Sequence, residues 1–220
     1  METERLEEMA AFFERRLGYY DSHMLEDIEC AKEFYEFTAR QLPKGACRVL
    51  DLGCGTGLEL EAYFKRNPMA SVAGIDLSAK MLGELRRKFP DKDLELIHGS
   101  YFEVPFGEDR FDAAVSVESL HHFAYPEKLG LYRRLFAAIK PGEYFVLTDY
   151  FAESPEREKF YFEELARMKR EQNLPEGSYH YDTPLTLEHE TEVLIEAGFS
   201  EVQRLNGWEA NHTIIARKKP

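Results

Sequence analysis

The chain has 220 residues, of which 44% are hydrophobic and 31% are charged, a composition typical of a folded globular domain. Its net charge of −13, from 28 basic and 41 acidic residues, opposes binding to nucleic-acid backbones and to anionic membrane surfaces. No apolar run reaches the length of a membrane span, and the N-terminus lacks the pattern of a signal peptide, so we expect an intracellular, cytoplasmic protein.

Two helices are predicted before residue 45. Apolar residues recur at helical spacing from Glu4 to Leu17, and a second helix runs from about Ile28 to a stop near Pro43. Between them, the segment 18–24 predicts a break and carries aromatic residues that a plain linker does not need. We therefore expect residues 1–45 to form a helical cap segment beside a larger domain over residues 46–220.

From residue 48 onward, short apolar runs alternate with helical patterns, as a parallel sheet covered on both faces requires. The predicted helices begin at Leu58, at Ala79 and at Glu127, and Pro141-Gly142 marks a turn before the fifth strand. The predicted strands are 48–52, 71–76, 94–98, 111–117 and 142–148. This alternation predicts an α/β fold, a three-layer Rossmann-like sandwich.

Residues 150–185 interrupt the alternation with a charged helix over 156–171. The segment follows directly after the end of a strand, where open α/β sheets bind ligands. We interpret it as a small helical cap over the site, and the alternative is a peripheral excursion.

The C-terminal part completes a seven-stranded sheet in this prediction. Thr186 is a suitable N-cap for a helix over 187–197, which Gly198 ends. Two strands follow, over 201–205 and 212–217, and the short turn Asn206-Gly207 makes the last strand antiparallel in a mostly parallel sheet.

The stretch 49–57 (VLDLGCGTG) joins a predicted buried strand to the helix that begins at Leu58. Glycines at 53, 55 and 57 permit a sharp turn and a close approach of the backbone to a ligand. Unpaired N–H groups at the start of the helix favour a polar or anionic guest. The pattern predicts a nucleotide-type cradle.

One alternative at this point is an NAD(P)-dependent oxidoreductase, because that class also opens with a strand, a glycine loop and a helix. Its fingerprint needs a small residue three positions after the second glycine, where this chain has Leu58. The spacing therefore disfavours the oxidoreductase. A non-catalytic regulatory protein that binds a cofactor is the other alternative.

The chain from Arg48 to its C-terminus resembles the class I S-adenosylmethionine-dependent methyltransferases. The resemblance is carried by an ordered series of motifs rather than by one match. They are 49–57 (VLDLGCGTG), 74–78 (GIDLS), 98–101 (HGSY) with 104–106 (VPF), 111–122 (FDAAVSVESLHH), 147–149 (LTD) and 196–199 (EAGF). It implies direct methyl transfer from S-adenosylmethionine, with S-adenosylhomocysteine as product.

The resemblance also implies a set of cofactor-binding residues. Asp76 is expected to hold the ribose diol, and Leu77 with Met81 to enclose the adenine, although Met81 is equally suited to the core. The family more often has Asp where this chain has Ser100, a neutral hydrogen-bond partner. The remaining expected contacts are Asp51, Gly53, Cys54, Gly55, Tyr101 and Val117, with Tyr20, His23 and Met24 from the upstream element.

His121 and His122 follow the fourth strand, and Asp149 ends the fifth. We interpret a histidine here as a candidate base, with His122 slightly favoured, and Asp149 as a residue that orients one of the two rings. The alternative is that both histidines only shape the loop. An alcohol acceptor needs such a base, whereas a thiolate needs less help.

The predicted acceptor is a small molecule, since the nucleic-acid methylase motif Asn/Asp-Pro-Pro-aromatic is absent after the fourth strand. The three cysteines, Cys30, Cys47 and Cys54, are odd in number and show no close ligand pairing, so free thiols and no metal site are expected. The identity of the acceptor, the atom methylated and the oligomeric state are not readable from the sequence.

Overall fold

A computed structural model describes residues 5–175 and 177–220 of the chain. Seven strands form one sheet in the order β3-β2-β1-β4-β5-β7-β6, and β7 is antiparallel to both of its neighbours. The elements are α1 (Met9–Glu26), α2 (Ala31–Gln41), β1 (Arg48–Leu52), α3 (Leu58–Arg66), β2 (Ser71–Asp76), α4 (Ala79–Lys88), β3 (Asp93–His98), β4 (Phe111–Val117), α5 (Tyr125–Ala138), β5 (Ile139–Tyr150), α6 (Pro155–Glu171), α7 (Leu187–Ala197), β6 (Glu201–Trp208) and β7 (Asn211–Arg217). The predicted Rossmann-like sandwich is confirmed.

The central strands are buried on both faces because helices cover each side of the sheet. Successive residues of a strand point to opposite faces, so Val49 packs in the core layer that includes Phe34 and Leu60, while Leu50 packs in the layer that includes Leu135 and Val193. Burial of both faces explains why these strands are nearly continuous apolar runs in the sequence.

The predicted break in the first helix is wrong: α1 is continuous from Met9 to Glu26. Gly18 lies inside it, at a cost of about 1 kcal/mol relative to alanine, and burial of Met24 in the core offsets that cost. The chain turns instead just before α2, at Cys30, whose φ is +58°. The predicted start at Glu4 lies outside the described residues.

Two predicted turns lie inside strands. Strand β5 begins at Ile139, so Pro141-Gly142 sits at a register shift between Phe111 and Ala113 of the neighbouring strand, where a residue without an N–H is tolerated. The final hairpin turns at Glu209, whose φ is +49°, not at Asn206-Gly207. A Cβ on Gly207 would overlap the ring of His212, so this glycine permits close packing between the strands.

The first helix and the segment after α6 meet above the carboxyl ends of the parallel strands. The Met9 N–H donates to the Ser178 carbonyl at 3.0 Å, and the His180 N–H donates to the Glu7 carbonyl at 2.9 Å. The rings of Phe12 and His180 stack. The two parts of the chain predicted to cap the site thus contact each other, while the domain boundaries stay a prediction. Across the described ranges, none of the helices has the length and apolar character needed to traverse a bilayer.

Candidate active site

The glycine turn after β1 has the left-handed backbone that the sequence motif requires. Gly53, Gly55 and Gly57 have φ values of +73°, +48° and +75°. A Cβ on Gly53 would overlap Ser119, and one on Gly57 would overlap Leu85. Gly55 faces open space, and its nearest side-chain neighbour is the Tyr20 hydroxyl. The loop therefore leaves a backbone-lined floor at the edge of the sheet.

This floor belongs to a groove at the carboxyl ends of β1, β2 and β4. Eight residues predicted from the sequence line it: Tyr20, Gly53, Gly55, Asp76, Leu77, Met81, Tyr101 and His122. Seven further residues of the lining were missed: Met9, Ala10, Phe13, Ser78, Glu118, Ser119 and Phe123. The signal for Met9, Ala10 and Phe13 was present as apolar residues at helical spacing in the first helix, which we assigned to a helical cap segment without naming cofactor contacts in it.

Asp76 stands at the end of β2 with its carboxylate fixed by the backbone. Its Oδ2 accepts from the Gly55 N–H at 2.9 Å, and its Oδ1 accepts from the Ser78 N–H at 2.7 Å. Burial raises the pKa of Asp76, and these two hydrogen bonds oppose that rise. Each oxygen keeps further acceptor capacity towards the groove, which suits a ribose diol.

The groove is narrow, with a free volume of about 50 Å³, whereas sites for drug-sized ligands measure about 300–1,000 Å³. Side chains of α1, including Met9, Phe13 and Tyr20, form its outer wall. The groove as it stands is smaller than a site for a ligand of nucleoside size.

The other predicted cofactor residues do not line the groove. Asp51, Cys54 and Val117 are buried behind the glycine loop or in the sheet, and the Ser100 Oγ accepts from the Phe102 N–H at 3.2 Å. On α1, the His23 ring lies on the exposed side beside Asp27, and Met24 packs in the core. Their direct contact with a cofactor stays a prediction.

Of three carboxyl groups near the glycine loop, Glu118 lines the groove, whereas Asp51 and Glu59 do not. Asp51 Oδ2, Glu59 Oε1 and Glu118 Oε1 are buried and have no hydrogen-bond partner among the described residues. Burial, together with the neighbouring Glu59, raises the pKa of Asp51 well above its usual range. Burial also raises the pKa of Glu118, to about 8. This arrangement fits a ligand that brings positive charge, as the sulfonium and ammonium groups of S-adenosylmethionine do.

His121 is held between two carboxylates. Its Nδ1 lies 2.5 Å from Asp149 Oδ1, and its Nε2 lies 3.4 Å from Asp182 Oδ1. Burial alone lowers the pKa of His121, but the two carboxylates overcome that effect and raise it well above its usual value. Since an imidazolium cannot accept a proton, His121 is suited to orienting its neighbours. Asp182 lies 61 residues from His121 in sequence, and no sequence signal linked it to the site.

His122 differs from His121 in both position and charge. Its ring lines the groove, and its Nδ1 lies 3.2 Å from the Tyr181 carbonyl, which can only accept a hydrogen bond. Nδ1 therefore carries the hydrogen, and Nε2 keeps its lone pair. Burial and the charge of His121 lower the pKa of His122 well below its usual value, so the ring is neutral. A neutral imidazole can accept a proton.

Two groups of side chains at the site could hold a metal ion by distance alone. Ligand-capable atoms lie within 4.8 Å of one another in the set His121, His122 and Asp182, and in the set Glu118, His121 and Asp149. Both histidine Nδ1 atoms face oxygen acceptors of the protein, so hydrogen bonds account for the arrangement. The absence of a metal stays a prediction.

A second cavity, of about 530 Å³, opens beside this cluster. Its walls come from the segment before α1, from α1 and α6, and from the segment after α6, and they combine aromatic and apolar side chains with two arginines and two acidic residues. They are lined by Arg5, Leu6, Glu7, Phe12, Arg16, Tyr161, Met168, His180, Tyr181 and Asp182. The His180 and His122 ring centroids are 5.1 Å apart, so the cavity adjoins the groove.

Comparisons with known proteins point to one family. The profile of a family described as "Methyltransferase domain" matches residues 49–142. A fatty-acid O-methyltransferase of Mycolicibacterium smegmatis is 32% identical over 117 residues, which cover 53% of this chain and 42% of that protein. Cycloartenol-C-24-methyltransferase 1 of rice is 29% identical over 127 residues, covering 56% of this chain and 36% of that protein. The matched segments span less than half of either relative.

A comparison with solved structures finds the same fold in a methyltransferase. The crystal structure of an S-adenosylmethionine-dependent methyltransferase from Mesorhizobium loti superimposes with a TM-score of 0.61 at 21% identity, covering 83% of this chain and 96% of that one. The sheet order and the ordered motifs match this architecture. Residues 49–142 match the methyltransferase-domain family, and the chain resembles the class I S-adenosylmethionine-dependent methyltransferases in its motifs and fold.

Proposed function

We propose that this protein transfers a methyl group from S-adenosylmethionine to a hydroxyl group of a small molecule, by direct displacement. The observation that carries the proposal is His122, a neutral imidazole whose Nε2 keeps its lone pair at the groove that we assign to the cofactor. The cofactor supplies a methyl group that is already activated on a sulfonium. The protein must therefore align the acceptor, exclude water and receive the acceptor's proton.

We assign the cofactor to the groove between Asp76 and His122. Asp76 would accept from the ribose hydroxyls, Leu77 and Met81 would pack on the adenine, and Gly53 and Gly55 would offer backbone groups to the methionine portion. The first helix would close over this ligand, since its side chains form the outer wall of the groove. The segment 150–185 would serve as the cap over the acceptor.

We assign the acceptor to the second cavity, which adjoins His122 through His180. Its volume of about 530 Å³ and its aromatic walls suit an apolar or ring-bearing molecule. In this proposal His122 receives the hydroxyl proton as a general base, and the His121–Asp149 pair holds the loop that positions it. Nucleic-acid substrates are not proposed, given the net charge of −13. The cytoplasmic location stays a prediction.

A methyl-transfer screen of hydroxyl-bearing metabolites, detected as S-adenosylhomocysteine release, tests the proposal. At least one alcohol or phenol should give turnover that His122→Ala reduces tenfold or more. The matched control is His189→Ala, because the His189 ring pairs with Glu158 away from the groove. Activity confined to amines or thiols, or an unchanged rate in His122→Ala, would contradict the assignment of the base.

A further inference from the structure

Glu118 occupies an unusual position at the end of β4. Its φ is +50°, a left-handed conformation that is unfavourable for a residue other than glycine. The backbone is fixed there because the Glu118 N–H donates to the Thr148 carbonyl at 2.9 Å. The strained turn directs this residue into the groove, beside Ser119 and His122.

The imidazolium of His121, with a ring nitrogen within 4.8 Å of the Glu118 carboxyl, is not part of the groove lining and is already paired with Asp149 and Asp182. None of the lining residues there is a lysine or an arginine, and Glu118 Oε1 is buried without a hydrogen-bond partner. Asp76 is different, because both of its oxygens already accept backbone hydrogen bonds. Glu118 is thus the carboxyl group of the groove lining that would form an ion pair with a bound cation.

The position of Glu118 along the groove indicates which positively charged group of a bound ligand it would pair with. Asp76, at one end, is assigned to the ribose, and His122, at the other, to the acceptor. Glu118 adjoins the His122 end, and its carboxyl lies within 4.8 Å of a His121 ring nitrogen. The transferred methyl group has to sit between cofactor and acceptor. The carboxyl of Glu118 therefore lies where the charged sulfur belongs.

We infer that Glu118 makes the groove select the positively charged sulfonium cofactor over its neutral thioether product. This inference rests on the proposed function. Both ligands carry the same ammonium, carboxylate and adenosine groups, so only the charge on sulfur distinguishes them. A buried carboxylate opposite that charge stabilises the methyl donor and loses its partner once the methyl group has left, which favours release of the product.

A change of protonation should accompany this selectivity. Burial is the main cause that raises the pKa of Glu118 to about 8, and the negative charge of Asp149 contributes to the same rise. The group is therefore mostly protonated at pH 7 in the free protein. A cation in the groove favours the ionised form and displaces that proton. The titratable groups around it are His121 and His122 after β4, Asp149 of β5, Asp182 after α6, Tyr20 of α1, Tyr35 of α2 and Asp76 of β2.

Calorimetric titration with S-adenosylmethionine and with S-adenosylhomocysteine tests the inference. Glu118→Gln should weaken binding of the sulfonium about tenfold or more, the effect of losing one partly desolvated charge pair, and leave thioether affinity within about twofold. Glu103→Gln, at an exposed carboxylate, is the matched control and should change neither affinity. Equal losses for both ligands, or no loss for either, would overturn the inference.

A second measurement needs no variant and covers the case in which Glu118→Gln does not fold. At pH 7, binding enthalpies of the parent in buffers of different ionisation enthalpy should reveal release of about one proton with the sulfonium and none with the thioether. Equal proton release for the two ligands would overturn the inference. If the parent binds neither ligand, the proposed function itself fails, and that result differs from every outcome above.

Discussion

Replacing Asp76 by Asn tests whether the groove binds a ribose. The two oxygens of Asp76 accept from Gly55 N–H at 2.9 Å and from Ser78 N–H at 2.7 Å, and a diol would use their remaining lone pairs. Asn keeps the size of the side chain but replaces one acceptor by an NH₂ donor. Either a backbone N–H or a ribose hydroxyl then loses its partner.

The size of the effect follows from the bonds at stake. A hydrogen bond to a charged acceptor contributes about 1.5–3 kcal/mol. We expect Asp76→Asn to weaken binding of S-adenosylhomocysteine by about 2–3 kcal/mol, which is a factor of roughly 30–150 in Kd. Asp91→Asn, at an exposed aspartate, should leave Kd unchanged.

Calorimetry with a ligand that lacks the ribose 2′-hydroxyl separates a lost contact from a distorted loop. The parent should bind the 2′-deoxy ligand more weakly than the complete one, and Asp76→Asn should bind the two almost equally. The thermal midpoint of the variant shows whether the glycine loop stays folded. An unchanged Kd in the variant, or an undiminished preference for the 2′-hydroxyl, would refute the ribose assignment.

Three further predictions concern the rest of the site and its support. Burial and the neighbouring imidazolium lower the pKa of His122 well below the ordinary value of 6.5, so turnover with an alcohol should stay level on acidification through pH 6.5 and fall only below it, as the base becomes protonated; a loss centred at or above pH 6.5 would contradict the assignment. Lys128→Met should lower the free energy of unfolding by about 3–5 kcal/mol, because the buried carboxylate of Glu190, whose Oε2 lies 2.5 Å from the lysine Nζ, loses its counter-charge. Lys65→Met, at an exposed pair, should leave the free energy of unfolding nearly unchanged, and similar losses in denaturant titrations of the two variants would refute this reasoning. Dialysis against a chelator should leave turnover unchanged, and stimulation by a divalent metal would show that the histidine cluster holds an ion.

The sequence alone determined the features that depend on neighbouring residues. The strands, the glycine turn at residues 53–57 and the α7 helix with its Thr186 cap were predictable because apolar runs, left-handed turns and caps are encoded within a few residues. Asp76 was predictable for a related reason. It ends the strand after the glycine loop, and parallel strands bring their carboxyl ends to one edge of the sheet.

The sequence misled where packing between distant segments outweighed a local signal. Asn206-Gly207 is a strong turn signal, yet Gly207 lies within a strand because the ring of His212 packs against it. The predicted break near Gly18 is absent because α1 buries Met24 in the core. In both cases, energy from tertiary contacts exceeded the preference of the local sequence.

Only the tertiary structure assembled the acid–base cluster. The sequence showed the two histidines as a pair and predicted that Asp149 orients one of them, but the second carboxylate, Asp182, comes from a segment 60 residues away. A histidine's pKa depends on its burial and on the charges around it, and those are set by how the chain folds back on itself. The same is true of Glu118, whose orientation into the groove results from a left-handed backbone held by β5.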